Sequence, residues 1–418
     1  MKKVSFSGVE SLLNHYIDNN IELANIGEDP IAVNLVGDAG IGKTSIVREL
    51  AKKRNMNFSK LNLAQLDEIG DLMGYPMKEM QVQMFKLKKD GDKTVRTPSE
   101  LVWTTEDALK TLHPSSYQVT NRTRTSYAKP SWIPEYNDNG SILLLDDFTR
   151  CTPVFAQAIM DLMLEQKYTS WKLPKKTTII LTSNPDNGNY NVTGMDAAQN
   201  TRCVNFLVDF DADTWAQWAE KKDIDGRCIS FALNYADELF NCNDEGNSVA
   251  NPRSYTMFCN SIRNIKDWDN PENLDFIQTI AQGCFSDEKG KFGAMFATFI
   301  ANRMHLLIPP KDLLMHKWDT IKDKLYEQIH KDGRYETGVA SLIERRFTNY
   351  VISWLDSDEP TPGNTPKSTL LKNRIVEFID NNIFTEGMYF HMIQNITKVH
   401  KAQTGKLLYE PKIANKVI

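Results

Sequence analysis

Residues 31–36 (IAVNLV) form a short apolar run, and the chain then reads Gly37-Asp38-Ala39-Gly40-Ile41-Gly42-Lys43-Thr44-Ser45 at the start of a helical pattern over 43–54. Strand, glycine loop and helix with G-x-x-x-x-G-K-[ST] spacing constrain the fold more than any other feature. The glycines let the backbone curl until its N–H groups point inward at phosphate oxygens, and the helix start adds partial positive charge. Lys43 can then reach β- and γ-phosphates, while the Thr44 hydroxyl can ligate Mg²⁺.

Further short apolar runs at 58–63, 142–145 and 178–182 alternate with helical stretches such as 153–165. That alternation predicts an α/β domain with a mostly parallel sheet. A helix should open the fold, since Ser7 and Glu10 have capping-box spacing and Val9, Leu12, Leu13 and Tyr16 recur on one face. Residues 78–134 are polar, irregular and long for a connection, and read as an inserted surface element, a functional loop or a disordered one. Beyond Phe210 no strand-like run stands out, and segments 215–222 and 227–240 look helical. Residues 357–368 (SDEPTPGNTPKS) read as a linker. The expected organisation is an α/β core over 1–210, a helical lid over 211–309 and a helical extension over 310–418. In the extension, Val339, Leu342, Ile343, Phe347, Val351 and Leu355 fall at helical spacing and predict a packed face.

Two carboxylates, Asp146 and Asp147, end the apolar run ILLL at 142–145. In a P-loop enzyme the first helps hold Mg²⁺ and the second orients or deprotonates the attacking water. Asn184-Pro185 ends the next apolar run, where an amide can hydrogen-bond water or the γ-phosphate.

The charge balance, 49 basic against 54 acidic residues, gives a net −5 and no overall pull on nucleic acid. Arg122, Arg124 and Lys129 with Tyr117, Tyr127 and Trp132 mix charge and aromatic rings as a single-strand binder would, but a solvated loop with core-facing aromatics suits the acidic total better. The six cysteines, Cys151, Cys203, Cys228, Cys242, Cys259 and Cys284, form no C-x-x-C pair, and the seven histidines form no metal-ligand spacing. The start, MKKVSFSGVE, lacks an apolar run of signal-peptide length, and nowhere do 18 apolar residues follow one another, so a soluble cytoplasmic protein with no membrane partner is expected.

The ordered set GDAGIGKT, DEIGDLMGYP, ILLLDDFTRCTPVFAQAIMDLM, IILTSNPD, MDAAQNTR and NPRSYTMF, over about residues 30–300, resembles an AAA+ ATPase of the MoxR or dynein-related branch. The resemblance implies a P-loop NTPase core with a parallel sheet and an all-α lid. It further implies ATP and Mg²⁺ as cofactors, a usually hexameric ring of identical chains, and remodelling of a protein client. Relatives often work with a partner carrying a von Willebrand type A domain. By position, Gly37, Gly40, Gly42, Lys43 and Thr44 resemble the Walker A loop, whose run of nucleotide contacts takes in Asp38, Ala39, Ile41 and Ser45. Asp146 and Asp147 resemble the Walker B pair, Asn184 the sensor 1 residue, Arg202 the arginine finger and Arg253 the sensor 2 arginine. Arginine suits both tasks because its planar, permanently charged fork binds phosphate oxygens in a bidentate way.

Two departures stand out. The family's Asp-Glu at the end of Walker B is Asp146-Asp147 here, and its following Asn-Arg is Thr149-Arg150. Aspartate is one methylene shorter, and a carboxylate displaced by about 1 Å from its water can cost on the order of 100-fold in rate. The leading expectation is a ring ATPase that remodels a protein; the alternatives are a nucleotide-gated scaffold with slow or no hydrolysis and a DNA-dependent motor.

Overall fold

The computed structural model describes residues 3–90, 93–186, 194–240, 249–285 and 290–417. The chain divides into two compact units, Met1–Asp209 and Phe210–Ile418. The first is built on strands β1 (Lys3–Val4), β2 (Ala32–Val36), β3 (Asn57–Asn62), β4 (Pro76–Asp90), β5 (Lys93–Thr105), β6 (Tyr117–Tyr127), β7 (Ser141–Asp146), β8 (Thr177–Ser183) and β9 (Cys203–Val208). Six of them form one sheet in the order β1-β9-β2-β8-β7-β3, every neighbouring pair parallel. The α/β class implied by the sequence is therefore the observed one. Strands β7 (SILLLD) and β8 (TTIILTS) are buried at every position, as strands covered on both faces are. Strands β1 and β9, on the far side of β2, have no counterpart among the expected apolar runs.

Helix α1 (Phe6–Ile26) begins two residues earlier than its expected capping box: Ser5 is the cap and accepts from Gly8 N, while Ser7 lies inside the helix. Leu13 and Ile17 of α1 are fully buried, and Asn20 donates from the same helix to Ile31 O at 2.9 Å and to Thr178 Oγ1 at 3.2 Å. Helices α2 (Lys43–Lys53), α3 (Pro153–Glu165) and α4 (Ala197–Asn200) complete what the site needs.

The polar stretch expected to be irregular is mostly a three-stranded antiparallel sheet of order β5-β4-β6. Along β6 only Ser126 is buried and no apolar alternation marks the strand, whereas the central β4 does alternate, at Met80, Val82 and Met84, with Val82 fully buried. Two of the sheet's arginines pair with rings or a carboxylate within it. Arg124 lies 4.7 Å from the Trp103 ring and donates to Glu79 at 2.7 Å, and Arg96 lies 4.3 Å from the Phe85 ring. Trp132 packs edge-on against Trp171, its Nε1 donating to Asp71 O at 3.1 Å.

The second unit includes α5 (Ala212–Lys221), α6 (Gly226–Asn234), α7 (Pro252–Ser261), α8 (Thr337–Leu355) and α9 (Glu386–Val399). Among its described residues the exception to helix and turn is a short hairpin, β10 (His330–Lys331) with β11 (Arg334–Tyr335). Two apolar clusters meet along α8: Leu342 belongs to one, and Ile343, Phe347, Val351 and Leu355 to the other. The expected helical face is thus packed, with apolar residues of 211–309 gathered around Leu342 and those of 310–418 around Ile343, Phe347, Val351 and Leu355. Residues 357–368 carry one short 3₁₀ turn, Pro362–Asn364, before the next helix opens at Lys367. Cys151, Cys203, Cys228, Cys259 and Cys284 are free thiols, all but Cys284 buried; Cys242 lies outside the described residues.

Candidate nucleotide-binding site

The glycine loop leaves the C-terminal end of β2, which lies between β8 and β9 in the sheet. Open α/β sheets bind ligands beyond the carboxyl ends of their strands, and the candidate residues gather there. Gly37 N donates to Ser183 O at 3.1 Å, tying the loop to β8. A side chain at Gly37 would meet Val208 O at 2.8 Å, so only glycine fits between loop and sheet. Gly40 and Gly42 hold φ of 84° and 101°, the left-handed backbone that turns successive amides inward. Gly42 caps α2 without a side chain, which leaves the helix's first N–H groups to an anion.

Lys43 is buried, and its ammonium donates to Gly37 O at 2.6 Å and Asp38 O at 2.9 Å, with Asn184 Oδ1 at 3.5 Å. Phosphate oxygens would offer this ammonium stronger, charged acceptors than the loop carbonyls. Thr44 Oγ1 donates to Asp146 Oδ1 at 2.9 Å. Asp146 also accepts from Thr182 Oγ1 at 2.5 Å and faces Lys60 Nζ at 2.6 Å. Burial alone would raise the Asp146 carboxyl, but the hydrogen bonds from Lys60, Thr182 and Thr44 outweigh it and hold the group below the ordinary carboxylate value.

One hydroxyl and one carboxylate next to the phosphate loop are the hard oxygen donors that Mg²⁺ uses when substrate phosphates and water complete its shell. Among the described residues no three His, Cys, Asp or Glu side chains cluster as an all-protein metal cage would. The donor set therefore fits a metal that arrives with nucleotide.

Asp147 follows at φ 56°, and its N–H donates to Thr182 Oγ1 at 3.1 Å. Asn184 N donates to Thr149 Oγ1 at 3.1 Å, so the threonine at a departure from the family pattern fixes the backbone of the candidate sensor. The structure thus brings together Gly37, Asp38, Lys43, Thr44, Asp146, Asp147 and Asn184. Arg202 stands elsewhere on the first unit, just after α4, which opens with a reciprocal Asp196 and Gln199 cap. Its guanidinium donates to Ala198 O at 3.1 Å, its Nε is buried without a protein partner, and it borders a cavity of about 580 Å³ with Cys151, Asp161 and Asp196. Arg253 is exposed in the first turn of α7, in the second unit.

Sequence reasoning missed Lys60, Thr182 and the support from Thr149. Thr182 and Thr149 stand inside quoted segments but carry no role there, and Lys60 stands in none; Lys60 reaches Asp146 because β3 pairs with β7 in a register that sets Asn62 opposite Asp146.

No family model and no curated protein matches the chain. Among solved structures it is similar to NtrX from Brucella abortus in complex with ADP, at 11% identity and a TM-score of 0.33, covering 87% of this chain and 68% of that one. It is also similar to an ATPase candidate from Cytophaga hutchinsonii, at 11% identity and a TM-score of 0.28, covering 68% of this chain and 87% of that one. The fold is an α/β P-loop core with a parallel sheet, followed by a helical unit.

Proposed function

We propose that this chain is an ATPase of the AAA+ class, of the MoxR branch, which binds ATP with Mg²⁺ at the loop 37–45 and uses its turnover to remodel a protein client. The observation that carries the reading is the convergence of Lys43, Thr44, Asp146 and Asn184 beyond the ends of three adjacent parallel strands, β2, β8 and β7. Lys43 and the loop amides hold the phosphates, Thr44 and Asp146 hold the metal, and Asn184 and Asp147 flank the γ-phosphate and its water. A divalent metal held by Thr44 and Asp146 would supply charge neutralisation to the phosphates. Arg202 and Arg253 supply guanidinium groups at subunit junctions of a ring, and the client is a protein, a von Willebrand type A domain among the candidates. No helix among the described residues is long and apolar enough to cross a membrane.

The deciding experiment pairs calorimetric titration of Mg-ATP with particle images of the full chain, with and without a slowly hydrolysed ATP analogue. Tight binding and nucleotide-dependent rings support the reading; no heat of binding at millimolar Mg-ATP refutes it. A nucleotide-gated scaffold with slow turnover is a second reading, favoured by Asp147. Its left-handed backbone suits a short Asp better than a Glu, so the short carboxylate fits the local chain.

A further inference from the structure

Asp146 is a buried carboxylate, 8% exposed, and both its oxygens are engaged. Oδ1 accepts from Thr44 and Thr182, and Oδ2 faces the ammonium of Lys60 at 2.6 Å. The two threonines are neutral, so Lys60 alone among these partners balances the charge. Leaving a buried carboxylate unbalanced is costly, which is the reason to spend a lysine here. Lys60 sits two residues before the position of β3 that faces Asp146, and its flexible stem bridges that step. Its side chain is one-third exposed, so the ammonium has water to turn to when displaced.

A divalent metal held by Thr44 and Asp146 would stand beside this ammonium, and like charges repel. Lys60 therefore acts with opposite sign in the two states: it stabilises the protein without metal and opposes the metal's arrival. We propose that Lys60 is the standing countercation of the metal site, neutralising Asp146 until a divalent cation arrives with nucleotide and thereby setting how tightly that cation is bound. The inference rests on the nucleotide-site reading above. It makes Lys60 a positioning residue, since it acts through Asp146.

The test follows Mn²⁺ binding by electron paramagnetic resonance in the full chain saturated with ADP, comparing wild type, Lys60→Met and Lys60→Arg. Lys60→Met is expected to bind Mn²⁺ about tenfold more tightly, a shift of about 1.4 kcal/mol, while Lys60→Arg stays near wild type. The metal-free, nucleotide-free Lys60→Met protein should also melt lower than wild type, and that loss should vanish when Asp146→Asn is added. A purely structural lysine would lower the melting point without tightening Mn²⁺. Unchanged or weaker Mn²⁺ affinity in Lys60→Met, with ADP still bound, overturns the inference and leaves the nucleotide site standing. Failure of wild type to bind ADP at all overturns both. Should Lys60→Met fail to fold, the Lys60→Met, Asp146→Asn double variant decides: recovery of folding supports the inference and continued failure overturns it.

Discussion

The Thr44 hydroxyl donates to the Asp146 carboxylate across 2.9 Å, although 102 residues separate them in the chain. The contact joins the start of the helix after the phosphate loop to the end of a buried strand two places away in the sheet. Two motifs that are only patterns in the sequence become one oxygen-rich corner. A carboxylate with several donors on it stays ionised, and an ionised carboxylate is what a metal arriving with phosphate needs.

Lys43→Ala removes the ammonium that bonds the loop carbonyls of Gly37 and Asp38. Hydrogen bonds to charged groups contribute about 1.5–3 kcal/mol, so ATP affinity should fall by about 10- to 100-fold. Calorimetric titration reads this directly, and affinity and turnover equal to wild type would show that the phosphates bind elsewhere.

Asp147→Asn keeps the length and the tolerance for φ 56° while removing the charge. Steady-state phosphate release should drop by at least about 100-fold, with ATP binding little changed, if this carboxylate prepares the water. Asp147→Glu separates the two functional readings: strong activation at saturating ATP marks the natural protein as a slow switch, and a loss marks it as an enzyme tuned to the shorter side chain.

Arg202 donates to the helix before it and leaves a buried Nε unpaired, a poor use of a guanidinium inside one chain. If a neighbouring copy's nucleotide is its partner, Arg202→Ala should preserve ATP binding and abolish most turnover in assembled rings. Wild-type turnover in assembled Arg202→Ala would place the finger elsewhere.

The candidate site was legible where function forces spacing. The loop 37–45 and the strand end at Asp146 were readable because a phosphate cradle tolerates few residue types and few orders. Lys60 was not, since its role depends on strand register between β3 and β7, which no local pattern announces. Strand β6 was hidden because it is solvated along nearly its whole length and has Thr, Asn and Arg where a half-buried strand shows alternating apolar residues; the central β4 carries that alternation at Met80, Val82 and Met84 and was legible as a strand. Strand β9 (CVNFLV) breaks its apolar run at Asn205, which accepts from Asn34 of β2, so its place beside β2 is set by tertiary contacts.

In the second unit Glu344 is 2% exposed and accepts from His391 Nδ1 at 3.1 Å and Thr348 Oγ1 at 2.9 Å. The hydrogen bond from His391 to Glu344 raises the histidine's pKa above its ordinary value, against the opposing effect of burial. A raised folded-state value means the protonated histidine stabilises the fold fully below about pH 6.5, and that this contribution is lost as pH rises through the raised value. The melting-temperature gap between wild type and His391→Gln should therefore be widest near pH 6 and narrow toward pH 8. A gap that is flat with pH would mean that the pair is held by packing alone.

The strand that feeds the phosphate loop carries a fully buried polar residue, Asn34. Its amide oxygen accepts from Ser183 Oγ at 2.9 Å and its nitrogen donates to Asn205 Oδ1 at 2.8 Å, so one side chain bridges β8, β2 and β9. Asn205 in turn donates to Asn200 Oδ1 of α4 at 3.3 Å, which extends the chain of contacts from beside Asn184 to the helix before Arg202. Asn34→Leu would strand Ser183 and Asn205 without their partner, and each unsatisfied buried group costs about 1–3 kcal/mol. A loss of about 2–4 kcal/mol in urea unfolding is expected for the single variant. Adding Ser183→Ala should restore part of it, because removing both partners of a buried hydrogen bond costs less than removing one. An Asn34→Leu protein as stable as wild type would show that water satisfies these groups, and the rigid link between the two strand ends and α4 would have to be abandoned.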